Sequence, residues 1–84
     1  MDQHIVRTPS QLGAAIRRHR KSLGLSQGQL AERVSLRQGT ISALETGAPG
    51  TKLQTLIDTL SALGLEIVVR PRSSARPPDV EDLY

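Results

Sequence analysis

The segment Arg37-Gln38-Gly39-Thr40-Ile41-Ser42 sets a guanidinium, an amide and two hydroxyls around Ile41, with Leu44 three residues further on. Short or amide-bearing side chains near the N-terminal end of a helix reach base edges in a DNA major groove without steric interference. Gln38 suits this best, because its amide donates and accepts at once in a bidentate pair with adenine, which discriminates by about 1–3 kcal/mol. Ser42 and Arg37 are the next candidates, Arg37 with either guanine or phosphate, whereas Thr40 is better placed for a phosphate. Ser26 and Gln27 open the preceding helix, where unpaired N–H groups and the helix dipole favour an anion, so they are expected at a second phosphate. Phosphate contacts of this kind position the protein and do not specify sequence.

Other chemistries find little support. His4 and His19 are the only histidines, and the carboxylates Glu32, Glu45, Asp58 and Glu66 fall on different elements. There is no Gly-x-Ser-x-Gly elbow and no phosphate-cradling loop, so no catalytic residue is expected and the chain reads as a non-enzyme. No His/Asp/Glu cluster has metal-ligand spacing, and neither cofactor, metal nor small-molecule ligand is expected. His19 on a helix stripe reads as a packed histidine.

Four helices must position these groups. Thr8-Pro9-Ser10-Gln11 supplies an N-cap, a proline at the first helical position and a capping box. Leu12, Ala15, Ile16, His19 and Leu23 then recur at helical spacing as a buried stripe, with Arg17, Arg18 and Lys21 on the opposite face and Gly24 as the stop. Ser26 and Gln29 form a second capping box for a helix carrying Leu30, Ala31 and Val34, and after a break at Ser35-Leu36 the pattern resumes with Ile41 and Leu44 up to Gly47. Thr51 and Gln54 repeat the box for a fourth helix, whose stripe is Leu53, Leu56, Ile57, Leu60 and Leu63, ended by Gly64.

Beyond Gly64 the period changes from 3.6 to 2. Leu65, Ile67 and Val69 alternate with Glu66, Val68 and Arg70, and Pro71 terminates a strand. A lone strand leaves its N–H and C=O groups unpaired. Two pairings satisfy them: the same strand of a second copy across a two-fold axis, giving an isologous dimer with Leu65, Ile67, Val68 and Val69 in the seam, or a weak pair with residues 4–7. The chain thus divides into an extended arm at 1–7, a DNA-binding and dimerisation domain at 8–71, and a disordered tail at 72–84. Leu83 and Tyr84 are an apolar anchor expected to order in a partner's pocket.

Size and charge agree with this division. A chain of 84 residues is a single domain near the lower edge of independent stability, burying about 60–65% of its unfolded surface, and association would help it. The absence of cysteine removes disulfide and thiolate support and suggests a cytoplasmic setting. No signal-like N-terminus or membrane span is legible. Residues 1–70 carry nine Lys/Arg against five Asp/Glu, a balance of +4, whereas residues 71–84 carry two against three. The basic excess is compatible with phosphate binding, although a solvated surface explains it as well.

Residues 10–64 resemble the Cro/C1-type (XRE) helix-turn-helix family. Leu23-Gly24-Leu25-Ser26-Gln27, Gln38-Gly39-Thr40-Ile41-Ser42 and Leu44-Glu45-Thr46-Gly47 match its motif segments in order and spacing. The resemblance implies an ion pair between Arg20 and Glu45. Arg20 lies next to an apolar stripe and Glu45 beside Leu44, so partial burial is expected, and removal of one partner would cost about 3–5 kcal/mol if burial is complete. Two positions depart from the pattern. Ser35 stands where the family has glycine, so it must take a left-handed conformation at a cost of order 1 kcal/mol. Gly39 offers no side chain to a base and lowers helix propensity by about 1 kcal/mol relative to alanine.

A narrower likeness covers nearly the whole chain. Thr8-Pro9-Ser10-Gln11-Leu12 before the first helix, the Arg37–Ser42 segment, the strand in place of a fifth helix and the tail ending in an aromatic residue are similar to HipB-type antitoxins. What this implies is a mostly α fold: a lambda-repressor-like four-helix helix-turn-helix domain with one C-terminal β-strand pairing across a homodimer. It further implies binding to a palindromic double-stranded DNA operator, autorepression, and neutralisation of a HipA-type kinase toxin. The alternative is a stand-alone XRE-type repressor without a toxin partner.

Overall fold

A computed structural model describes residues 3–72, and these form four helices: α1 (Pro9–Ser22), α2 (Gln27–Arg33), α3 (Gln38–Thr46) and α4 (Leu53–Ala62). The helix starts follow the side chains available to cap them. Ser26 accepts from the Gln29 N–H at 3.0 Å while the Gln29 side chain accepts from the Ser26 N–H at 2.8 Å, a complete capping box on α2. At α1 only half of the expected box forms. Thr8 Oγ1 accepts from the Gln11 N–H at 3.0 Å, but the Gln11 side chain reaches one residue further back, to the Arg7 N–H at 2.7 Å. The expected box on α4 does not form: the N-cap is Lys52, and Gln54 instead donates to Asp58 Oδ1, one turn on, at 2.8 Å.

All four helices stop in the same way. The residue after each C-terminal turn adopts a left-handed conformation, at Gly24, Ser35, Gly47 and Gly64, with φ of 74°, 56°, 81° and 74°. Its N–H returns to the last turn, and so does that of the following residue, as in Ser35 N–H to the Glu32 carbonyl (3.2 Å) and Leu36 N–H to the Ala31 carbonyl (2.9 Å). This paired closure is the Schellman motif, and it places a side chain just past the helix back onto the core. Leu25, Leu36 and Leu65, each one residue past a left-handed position, pack there. Ser35 is the one non-glycine residue among the described residues with positive φ.

The core is formed by Ile16 of α1, Leu30 and Ala31 of α2, Ile41 and Leu44 of α3, Leu60 of α4 and Leu63 at its end. Each fully buried aliphatic side chain contributes roughly 1.5–3 kcal/mol. Thr59 is also buried, its hydroxyl donating to the Thr55 carbonyl at 2.8 Å. His19 is half-buried, and its Nε2 donates to the Leu63 carbonyl at 2.9 Å, tying α1 to the end of α4. α1 and α3 touch through backbone. A Cβ at Gly13 would overlap the Leu44 and Glu45 carbonyls, so only glycine permits this approach.

Three stripe positions read from periodicity are not buried. Leu23 is 50% exposed because it is the C-cap of α1, already turning away from the core. Leu53 and Ile57, at 68% and 42%, continue the stripe of Leu60 toward the start of α4, where the other described elements leave it uncovered. Periodicity identifies an apolar face but does not say how much of it another element of the same chain covers. Residues 65–72 form neither helix nor turn, and among the described residues no ladder joins them to residues 4–7.

Candidate nucleic-acid interface

The turn between α2 and α3 is the short link 34–37, and α3 begins at Gln38 with Arg37 as N-cap (φ −80°, ψ 148°). No side chain caps α3, so Arg37 keeps its guanidinium free of the helix end. Gln38 and Ser42 are one helical turn apart on α3; Gln38 is exposed and Ser42 half-buried. The buried side of α3 carries Ile41, Leu44 and Glu45, and Glu45 stands one turn beyond Ser42, so Gln38 and Ser42 border the buried side. Gln38 leans back over α2, with its Oε1 3.6 Å from where a Cβ on Gly28 would stand. Gly39 faces open space and Thr40 is half-buried on the flank, its N–H bonded to the Arg37 carbonyl at 3.0 Å. Thus Arg37, Gln38 and Ser42 are brought together around the N-terminal half of α3.

Beneath that surface lies a polar cluster. Arg20 and Glu45 are 6% and 7% exposed and form a bidentate pair, with Arg20 Nε donating to Glu45 Oε2 at 2.6 Å and NH2 donating to Oε1 at 3.0 Å. The third guanidinium nitrogen donates to the Leu25 carbonyl at 2.6 Å, in the loop before α2. Gln27 Nε2 completes the carboxylate shell by donating to Glu45 Oε1 at 3.1 Å. Burial pushes the Glu45 carboxyl up. The hydrogen bonds from Arg20 and Gln27, together with the charges of Arg20 and Arg17, outweigh burial and hold it below its ordinary range. The Arg20 guanidinium is raised by its hydrogen bond to Glu45, against the cost of burial.

This cluster gives Gln27 a role that its position as first residue of α2 does not suggest. Its amide points inward to Glu45, linking α2 to the end of α3, so the side chain of Gln27 serves the scaffold as well as the surface. Ser26 is exposed, with its oxygen occupied by the Gln29 N–H. Gly13 and Arg17 are further contributors that the pattern of residue types leaves out. Arg17, grouped by sequence with the outward cations of α1, stands close enough to Glu45 for its charge to be felt there.

Of the seam residues, Leu65 is half-buried while Ile67, Val68 and Val69 are exposed, Val69 by 91%. Leu83 and Tyr84 lie outside the described residues, as does nearly all of the expected tail. No described helix is long and apolar enough to cross a membrane.

Two short helices joined by a tight turn, the second presenting polar side chains outward and the first locked to it through Gln27 and Glu45, define a helix-turn-helix domain. A helix-turn-helix domain family model matches residues 11–73. Antitoxin HipB of Escherichia coli (strain K12) is 31% identical over 74 residues, covering 88% of this chain and 84% of that protein. Among solved structures, the HipA-HipB-O2-O3 complex matches with a TM-score of 0.74 at 29% identity, over 81% of this chain and 96% of the other. The HipB-O4 20mer complex matches with a TM-score of 0.75 at 28% identity, over 88% of this chain and all (100%) of the other. The chain belongs to the Cro/C1-type (XRE) helix-turn-helix family of DNA-binding regulators, within its HipB-type antitoxin branch.

Proposed function

We propose that this chain is an autorepressing antitoxin: a homodimer that binds a palindromic DNA operator and neutralises a HipA-type kinase toxin. The observation that carries this reading is the side of α3 that presents exposed Gln38 and half-buried Ser42, held by a buried cluster to α2, in a fold that follows HipB through 88% of the chain and not only across the helix-turn-helix. In the proposed complex Gln38, Ser42 and Arg37 read base edges, while Ser26, Gln27 and Thr40 meet phosphates. Gln27 can do so through its backbone N–H while its side chain remains on Glu45.

Dimerisation rests on residues 65–70. Ile67, Val68 and Val69 are exposed apolar residues in a segment without intrachain strand pairing among the described residues. A second copy of the same segment would supply the missing ladder and cover this surface, and the two-fold axis would set two α3 helices on successive major grooves. Leu83 and Tyr84 are the proposed anchor in a partner pocket.

The test uses the full chain and fluorescence anisotropy on the palindromic duplex upstream of its own gene, beside an unrelated duplex of equal length. Gln38→Ala should weaken operator binding by about 5- to 100-fold, the loss of one bidentate base pairing, and leave the unrelated duplex nearly unchanged. Equal loss on both removes Gln38 from base reading. Purification of the tagged chain from its native host should bring along a kinase-sized partner. Recovery of operator binding without any such partner favours the stand-alone repressor.

A further inference from the structure

The polar cluster under α3 leaves one cation over. Gly13, Arg17 and Arg20 recur at four and three residues and therefore share one face of α1. Both ends of that face are fixed on the last turn of α3: Gly13 lies against the Leu44 and Glu45 carbonyls, and Arg20 grips the Glu45 carboxylate. Arg17 sits between these two points, yet it is exposed where Arg20 is buried.

The hydrogen bonds show why the two arginines differ. Arg20 spends Nε and NH2 on Glu45 and NH1 on the Leu25 carbonyl, and its charge is cancelled by the carboxylate. Glu45 in turn accepts from Arg20 and Gln27. Among the described residues Arg17 has no hydrogen-bond or ion-pair partner, and its charge reaches Glu45 only through space. Gln27, the first residue of α2, is bonded into the same cluster, so Arg17 stands where α1, the start of α2 and the end of α3 meet. In a helix-turn-helix complex the first helix of the pair crosses the sugar–phosphate backbone.

We infer that Arg17 is a phosphate-binding residue, taking a backbone phosphodiester of duplex DNA beside the start of α2. This rests on the DNA-binding reading above and adds to it a cation supplied by α1, outside the helix-turn-helix itself. A phosphate held by a guanidinium releases counterions, so the interaction is legible in the salt dependence of binding and not in sequence preference.

The experiment compares the wild-type chain, Arg17→Gln and Arg18→Gln on the operator and on an unrelated duplex, across salt from about 50 to 200 mM. Arg18→Gln removes the same charge from another side of α1, where the guanidinium lies 3.4 Å from the His4 ring. Arg17→Gln should lower affinity for both duplexes by similar factors and reduce the slope of log K against log salt by about 0.9 for each phosphate no longer neutralised. Arg18→Gln should leave the slope at the wild-type value, and Arg17→Lys, which keeps the charge, should restore it. A slope for Arg17→Gln equal to that of wild type or of Arg18→Gln overturns the inference, as does a loss confined to the operator or a failure of Arg17→Lys to restore the slope. A wild-type chain that binds neither duplex overturns the DNA-binding reading itself, a result distinct from normal binding with an unchanged slope.

Discussion

Removing the Glu45 carboxylate should be among the most damaging single changes in this domain. In Glu45→Leu, Arg20 remains 6% exposed with only the Leu25 carbonyl for its guanidinium, and Gln27 loses its acceptor. Breaking a buried pair from one side costs about 3–5 kcal/mol, because a charge is left buried and uncompensated. A domain of this size has a total stability of roughly 4–12 kcal/mol, so the variant should lose about a quarter or more of it, a drop in melting temperature of about 12 °C or greater. Arg20→Met should cost a similar amount. The double variant Arg20→Met/Glu45→Leu leaves neither charge, and it should recover most of the loss, since well-packed apolar replacements of buried pairs are often neutral or stabilising.

Acid adds an independent readout of the same pair. The folded-state carboxyl of Glu45 is held below its ordinary value of 4.5, so the unfolded chain takes up the proton first as pH falls. The contribution of the pair is complete above that ordinary value and is lost progressively as pH drops through the folded value. Arg20 is raised above its ordinary value, so its share is complete below that value and is lost only in strong alkali, as pH rises through the folded value. Urea unfolding at pH 7 and at about pH 3 should therefore show a larger acid loss in the wild type than in the double variant. A single variant that loses less than about 1 kcal/mol at pH 7, or a double variant as unstable as the two single losses added together, refutes a buried pair of this strength.

Three further perturbations probe other parts of the molecule. Gly13→Ala should cost about 2–4 kcal/mol, because its Cβ would overlap the Leu44 and Glu45 carbonyls and force α1 off α3; a urea midpoint within error of wild type would show that the helices give way freely. Ser35→Gly should raise stability by about 0.5–1 kcal/mol by relieving the φ of 56°, and a loss on chemical denaturation would mean that the serine side chain stabilises the turn more than its backbone strains it. Ile67→Asp places a charge in the proposed seam and should give monomers in sedimentation analysis with α-helical circular dichroism preserved; a persistent dimer excludes residues 65–70 as the interface.

Much of the helical frame is legible in local chemistry. The capping box of Ser26 and Gln29 and the glycine stops depend on residues within one turn of each other, so spacing reveals them, whereas the left-handed Ser35 is expected only from the family resemblance. What escapes such reading involves distance in sequence. Gly13 reads as an ordinary mid-helix glycine until α3 is laid against it, and nothing near Gln27 signals that its amide would find Glu45, eighteen residues away. Arg17 follows Ile16 directly, and a two-sided view of α1 assigns it to the outward face. A helix has a flank between its buried and solvated sides, and Arg17 lies on it. Leu23, Leu53 and Ile57 show the converse error: correct periodicity with no information on what covers the stripe.

The repeated helix stop has a kinetic consequence. Each of the four left-handed closures is made by residues adjacent to the helix it ends, so the boundaries of every helix are encoded without help from the rest of the chain. Helical domains dominated by such near-neighbour contacts have low contact order and fold in microseconds to milliseconds. The polar links that must wait for helices to meet are few, principally His19 to the Leu63 carbonyl and the Arg20, Gln27 and Glu45 cluster. A chain built this way can lose its packing briefly and regain it faster than most encounters with a protease or an aggregating neighbour. Each loss of the recognition helix would thus be short-lived.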